Sequence, residues 1–169
     1  MNINVYADGH LKFDSKTYRC ALGRGGILTY KVEGDSATPT GIYPLLRLFW
    51  RSDKIKSIET LLPHQNLNLD DGWCDDPTHP EYNQLVNLPF SASHERMWRD
   101  DDLYDLVIEI GHNNNPVVPG AGSAVFIHVA SPDYAATEGC IALAKDDLLM
   151  LIQKWTTATK VEIFNDKSG

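Results

Sequence analysis

The apolar residues of this chain fall in short runs separated by turn residues. Ile3 to Tyr6, Leu11 to Phe13 and Tyr18 to Leu22 read as strands, with turns at Ala7-Asp8-Gly9-His10 and Gly23-Arg24-Gly25-Gly26, because β-branched and aromatic residues bounded by Gly and Asp favour a pleated, half-buried backbone. Gly41 to Trp50, carrying Ile42, Tyr43, Leu45, Leu46, Leu48 and Phe49, predicts a further strand. Leu106 to Ile110 and Ala124 to His128 are nearly unbroken apolar runs, the mark of buried strands, and Lys160 to Phe164 closes the series. The spacing changes at Lys145 to Trp155, where Leu148, Leu151, Ile152 and Trp155 fall on one helical face. Asp146 and Asp147 stand in its first turn, where the helix dipole favours negative charge. Between these segments, Leu69 to Asp102 is polar, aromatic and rich in Pro and Asp. It predicts a long elaborated loop region with one short helix near Ala92 to Trp98, and loops this long usually form lids or binding walls. The expectation is a mainly β domain with one firm C-terminal helix.

Composition narrows the function. The 169 residues suffice for one sizeable core, and no repeat, low-complexity segment or linker divides them, so a single domain over 1–169 is expected. A net charge of −8 argues against nucleic acid and against adhesion to anionic lipid. No apolar run approaches the length that spans a bilayer. The stretch Met1 to His10 has neither a basic n-region nor an apolar h-region, so a cytoplasmic location is expected, with the periplasm by unconventional export as the alternative. Cys20, Cys74 and Cys140 are odd in number and widely spaced, which is not a disulfide framework and suits a reducing compartment.

The densest chemistry lies at Phe126-Ile127-His128 and, twelve positions beyond that histidine, at Gly139-Cys140 within Thr137-Glu138-Gly139-Cys140-Ile141-Ala142-Leu143. A histidine ending an apolar strand and a cysteine after a glycine are the minimum for a thiol nucleophile with its own base. Gly139 permits a sharp turn and close approach of a carbonyl carbon, and backbone amides beside such a turn can face an oxyanion. The ordinary alternatives are a buried inert thiol at Cys140 and a satisfied core histidine at His128.

With Gly111-His112-Asn113-Asn114 and Pro119-Gly120-Ala121-Gly122-Ser123 ahead of the strand, and Gly34-Asp35-Ser36-Ala37-Thr38-Pro39-Thr40-Gly41-Ile42-Tyr43 upstream, this string resembles the catalytic signature of the L,D-transpeptidase (YkuD-domain) family. The likeness covers nearly the whole chain. It implies an L,D-transpeptidase-like β-sandwich or barrel, with Cys140 as nucleophile, His128 as base, and the carbonyl of Val129 orienting the imidazole. Two positions depart from the signature: Glu138 stands where the family commonly has histidine, and Ala142 where it commonly has arginine. The His-to-Cys interval is also shorter than usual. A divergent branch is indicated, in which Arg19, Arg47, Arg51 or Arg99 would supply a substitute cation to grip a carboxylate. His112 either lines the cleft or anchors the Asn-rich loop. Ser123, Tyr134 and Thr137 are candidates to hydrogen-bond a peptide, although Ser and Thr in loops commonly cap or turn.

The implied substrate is the peptidoglycan stem tetrapeptide, free or as a muropeptide, cut between its L-centred diamino acid and terminal D-alanine through a thioester, with no cofactor. Transfer to water makes an L,D-carboxypeptidase of cell-wall recycling, the reading favoured by the missing export signal. Transfer to an amine makes a cross-linking L,D-transpeptidase. Two other classes stay open: a fragment-binding module whose motif has decayed through Glu138 and Ala142, and a metal-dependent hydrolase using His64, His79 and Asp75. Cys74-Asp75-Asp76 with His79 matches no compact zinc spacing, so no metal is expected.

Overall fold

The computed structural model describes residues 2–169; Met1, where the expected domain begins, lies outside them. In chain order its elements are β1 (Asn2–Tyr6), β2 (His10–Phe13), β3 (Lys16–Ala21), β4 (Ile27–Leu28), β5 (Thr38–Pro39), β6 (Gly41–Trp50), β7 (His64–Asn66), β8 (Asp71–Cys74), β9 (Leu85–Asn87), β10 (His94–Arg96), β11 (Leu106–Ile110), β12 (Phe126–Val129), β13 (Ile141–Leu143), α1 (Lys145–Leu151) and β14 (Lys160–Phe164). A sheet runs β11-β12-β13-β3-β2-β1-β14-β6-β7 and closes on itself because β6 also pairs with β11. The closure depends on the length of β6. Gly41 to Pro44 pair with β14, and Leu45 to Trp50 pair with β11, so one strand serves both sides of the barrel.

Residues alternate across this sheet with period two, and both faces are apolar around β6, β11, β12 and β13. Leu48, Ile108, Ile127 and Ile141 point into the main core, where Leu148, Leu151, Ile152 and Trp155 join them. Their neighbours Phe49, Val107, Phe126 and Cys140 point the other way, into a second core shared with Trp73, Met97 and Tyr104. That second core is roofed by a three-stranded antiparallel sheet in the order β10-β8-β9. Trp73 ties roof to barrel, packing edge-on to Phe49 at 6.3 Å and Phe126 at 5.0 Å while its indole N–H donates to Asn83 Oδ1.

The strands expected at the two ends and in the centre are present, as is the helix, whose regular part ends at Leu151 while Ile152 and Trp155 stay fully buried. The helix expected near Ala92 to Trp98 is instead a strand. In β10, His94, Glu95 and Arg96 lie opposite Cys74, Trp73 and Gly72, and the Met97 amide reaches the Asp71 carbonyl at 3.0 Å. An isolated two-turn helix has a costly nucleus, whereas β8 offers ready backbone partners. The loop region carries this small sheet, whose three strands are joined by turns and irregular backbone. Cys20, Cys74 and Cys140 are all free. No described helix is long and apolar enough to cross a membrane.

Replacing Trp73 by Ala removes the largest buried side chain between roof and barrel. A loss of about 3–5 kcal/mol in denaturant-unfolding stability is expected; a loss below about 1 kcal/mol would show that the roof is held by other contacts.

Candidate active site

Register sets the centre of the site. β12 and β13 are parallel, with His128 opposite Ala142 and Ile127 opposite Ile141. Cys140 lies two residues before Ala142 and therefore faces the same side as His128. A strand spacing of about 4.8 Å and two residues of about 3.3 Å place the two Cα atoms roughly 8 Å apart. Both side chains line one cleft of about 620 Å³.

The turn carrying Cys140 is held from both sides. Gly139 adopts φ +133°, a conformation suited to glycine, and a Cβ there would sit 2.8 Å from the Ala37 carbonyl oxygen. Gly23 makes the reciprocal approach: its Cβ would lie 2.9 Å from Gly139 Cα and 2.3 Å from the Ser36 carbonyl oxygen. Thr137 Oγ1 donates to the Cys140 carbonyl at 2.7 Å and accepts the Gly139 amide at 3.1 Å. The Gly139 N–H is thereby engaged, and Gly139 shapes the turn through its backbone conformation. Thr137 lines the cleft but spends its hydroxyl on this turn.

The sulfur sits in a polar notch. The Phe126 amide donates to Sγ at 3.4 Å, and the thiol donates to the Ala124 carbonyl at 3.2 Å. Ala124 itself stands at φ +52°, unusual for a residue with a Cβ. Burial, reinforced by the charge of Glu95, pushes the Cys140 thiol up to about 12. His128 Nδ1 lies 2.8 Å from the Val129 carbonyl oxygen. A carbonyl only accepts, so Nδ1 carries the proton and Nε2 is left as the basic nitrogen. Burial holds this imidazole down at about 4. The resting pair is a neutral thiol and a neutral imidazole.

Four residues not singled out from the sequence shape the cleft. Tyr104 stacks edge-on to His128 at 5.3 Å, and its hydroxyl donates to Glu95. Burial raises Glu95 above the usual carboxylate range. Lys31 and Arg24 also line the wall. The signal for Glu95 was obscured by reading its segment as helix, since strand alternation sends Glu95 and Met97 to the same side of the roof.

The expected peptide-binding residues are not all gathered here. Ser123, Thr137 and Arg99 line the cleft, though Arg99 directs two guanidinium nitrogens to Asp101 at 2.8 and 2.6 Å. Arg19 does not line it: this exposed residue of β3 lays its guanidinium over Tyr134 at 4.2 Å. His112 does not line it either. It packs edge-on to Tyr43 at 5.3 Å and beside Gly122, whose Cβ would lie 3.1 Å from its Cε1. Arg47 pairs with Glu109, and Arg51 with Asp53. Among the described residues, no group of three His, Cys, Asp or Glu is arranged to hold a metal, and His79 packs on Phe90 while His64 leans on the Leu62 carbonyl. Glu138 pairs with Arg24 at 2.5 Å and accepts from Ser36 Oγ at 2.6 Å at the cleft rim.

A closed β-barrel whose parallel strand pair carries cysteine and histidine into one cleft agrees with the comparison of families, in which the L,D-transpeptidase catalytic domain (YkuD) matches residues 2–163. The chain belongs to that family. Among solved structures, it is similar to the helical cell shape determining protein Pgp2 from Campylobacter jejuni, with 16% identity over 99% of this chain and 48% of that one, at a TM-score of 0.41. The K307A mutant of the same protein gives 16% identity, 99% and 47% coverage and a TM-score of 0.42. An L,D-transpeptidase from Mycobacterium smegmatis shares 13% identity over 96% of this chain and 58% of its own, with a TM-score of 0.42. The chain spans about half the length of these structures. The comparison with curated proteins gave no match.

Two outcomes follow from the ionisation of the pair. Because His128 is neutral down to about pH 4, activity that needs it as a base should persist on acidification past 6.5 and fall only as pH nears 4; an acid limb at 6.5 in a pH–rate profile would contradict this. Replacing Glu95 by Gln removes a charge that holds the thiol up, so iodoacetamide should alkylate Cys140 faster at pH 9, by up to about tenfold per unit of lowered pKa. An unchanged or slower rate, followed by mass spectrometry of the Cys140 peptide, would show that Glu95 does not act on the sulfur.

Proposed function

We propose that this domain is a cysteine acyl-transfer enzyme of peptidoglycan stem peptides, acting as an L,D-carboxypeptidase. The observation that carries the reading is the common cleft of Cys140 and His128, with the imidazole already oriented by the Val129 carbonyl so that Nε2 is the basic nitrogen. As Cys140 Sγ attacks the carbonyl of the L-centred diamino acid, its proton passes to His128 Nε2. The tetrahedral adduct collapses, the C–N bond breaks, and the departing D-alanine amine takes that proton. A thioester remains on Cys140. Water attacks it, giving a proton to the same nitrogen, and the S–C bond breaks to restore the thiol and release a tripeptide.

A neutral thiol suits this order of events. With the sulfur held near 12 and the imidazole near 4, proton transfer accompanies attack and does not precede it.

Incubation with a disaccharide-tetrapeptide, analysed by mass spectrometry, should give tripeptide and free D-alanine. Cross-linked dimers would identify an amine as the acceptor, and no product across several stem peptides would overturn the enzymatic reading. Cys140→Ala should reduce turnover at least about 10³-fold, and His128→Asn roughly 10²- to 10⁴-fold. A Cys140→Ala protein that bound the tetrapeptide while the parent released no D-alanine would instead mark a binding module.

A further inference from the structure

The signature arginine position is Ala142 in this chain, yet the cleft holds a cation from a different part of the sequence. Lys31 lies in the turn before β5. Its side chain is only 7% exposed, and Nζ reaches Asp35 Oδ1 at 2.6 Å. Two glycines with left-handed backbones make its corridor. A Cβ on Gly122 (φ +105°) would lie 2.9 Å from Lys31 Cε, and a Cβ on Gly139 (φ +133°) would lie 3.6 Å from Nζ. The ammonium is therefore delivered to the very turn that precedes Cys140.

Its ion pair does not exhaust it. Asp35 is already satisfied by backbone donors, with Oδ2 accepting the Val32 amide at 2.8 Å and Oδ1 the Ala37 amide at 2.9 Å. The Lys31 ammonium carries three donors and, among the described residues, gives one of them to Asp35. The other cleft cations are committed differently. Arg99 makes a two-nitrogen fork to Asp101, and Arg24 pairs with Glu138 at the rim, where its side chain is 60% exposed. A cation that is poorly hydrated and still has free donors is the one from which a bound anion gains most.

We infer that Lys31 is the specificity-determining residue that binds the free α-carboxylate of the residue leaving the substrate peptide. The inference rests on the carboxypeptidase reading for the identity of that peptide, but a carboxylate subsite beside Cys140 is testable without it. In an acyl donor the leaving residue's carboxylate is separated from the attacked carbonyl carbon by only the amide nitrogen and one Cα. A cation at the Gly139–Cys140 turn is correctly placed to hold it, and a capped or extended C-terminus would leave the ammonium unpaired.

The test uses two alkylating reagents of similar size, anionic iodoacetate and neutral iodoacetamide, with modification of Cys140 followed by mass spectrometry. Lys31→Gln should lower the ratio of iodoacetate to iodoacetamide rates at least fivefold, and Lys31→Arg should retain it. If both reagents slow together at a constant ratio, Lys31 acts on the sulfur alone and the inference is overturned; an unchanged pair of rates overturns it equally. Should Lys31→Gln fail to fold, judged by its thermal melt, the native protein decides: N-acetyl-D-alanine should protect Cys140 from iodoacetamide and its C-terminal amide should not, and equal protection overturns the inference. On the tetrapeptide, Lys31→Gln should raise KM at least tenfold with kcat within threefold, and should abolish the parent's preference for a free over an amidated C-terminus. A parent inactive on every stem peptide sinks the functional reading, while the reagent ratio still decides the role of Lys31.

Discussion

The parallel pairing of β12 with β13 is the constraint on which the site depends. Opposite His128 stands Ala142, and the two-residue period of a strand carries that alignment back to Cys140. A slip of one residue would turn the sulfur into the main core beside Ile127, and would bring Ile141 out beside the imidazole. The glycine pair Gly23 and Gly139 guards against such a slip, since it lets the backbone at Ser36 and Ala37 press directly on the turn before Cys140. Apolar packing on both sides of the sheet pins the register further, for each face has its own buried set.

The roof sheet completes the chemistry. A barrel alone would leave Phe126, His128 and Cys140 on an exposed face. β8 and β10 cover that face with Trp73 and Met97, and the same strands and their flanks bring Glu95, Arg99 and Tyr104 to the cleft. Desolvation by this cover is the main reason both reactive groups rest in their neutral forms. Stability and ionisation are thus linked through one layer. Loosening the roof would let water in and return the thiol and imidazole towards their ordinary ranges.

Much of this was legible in the residues. β6, β11 and β14 have the bounds that their apolar runs suggested, because buried strands in a two-faced sheet leave long hydrophobic signals. The histidine and cysteine stood out because one closes an apolar run and the other follows a glycine. What escaped was set by long-range packing. The roof strands are only three or four residues long, too short for an alternating pattern, so their pairing with each other carries no local mark. Arg19 and His112 carried plausible chemistry, but β3 points Arg19 to Tyr134, and the fit of Gly111 against Pro44 turns His112 beside Tyr43. Lys31 lay in a turn, four residues before Asp35, and only the glycines at 122 and 139 reveal where its ammonium ends.

The elevated thiol has a consequence for durability. Burial pushes the Cys140 thiol up and so disfavours its thiolate at neutral pH. Oxidation to sulfenic acid follows thiolate character and exposure, so burial slows reaction with peroxide at Cys140 and at Cys20, whose thiol it also raises. One layer of cover thus sets both the ionisation of Cys140 and its exposure to oxidants.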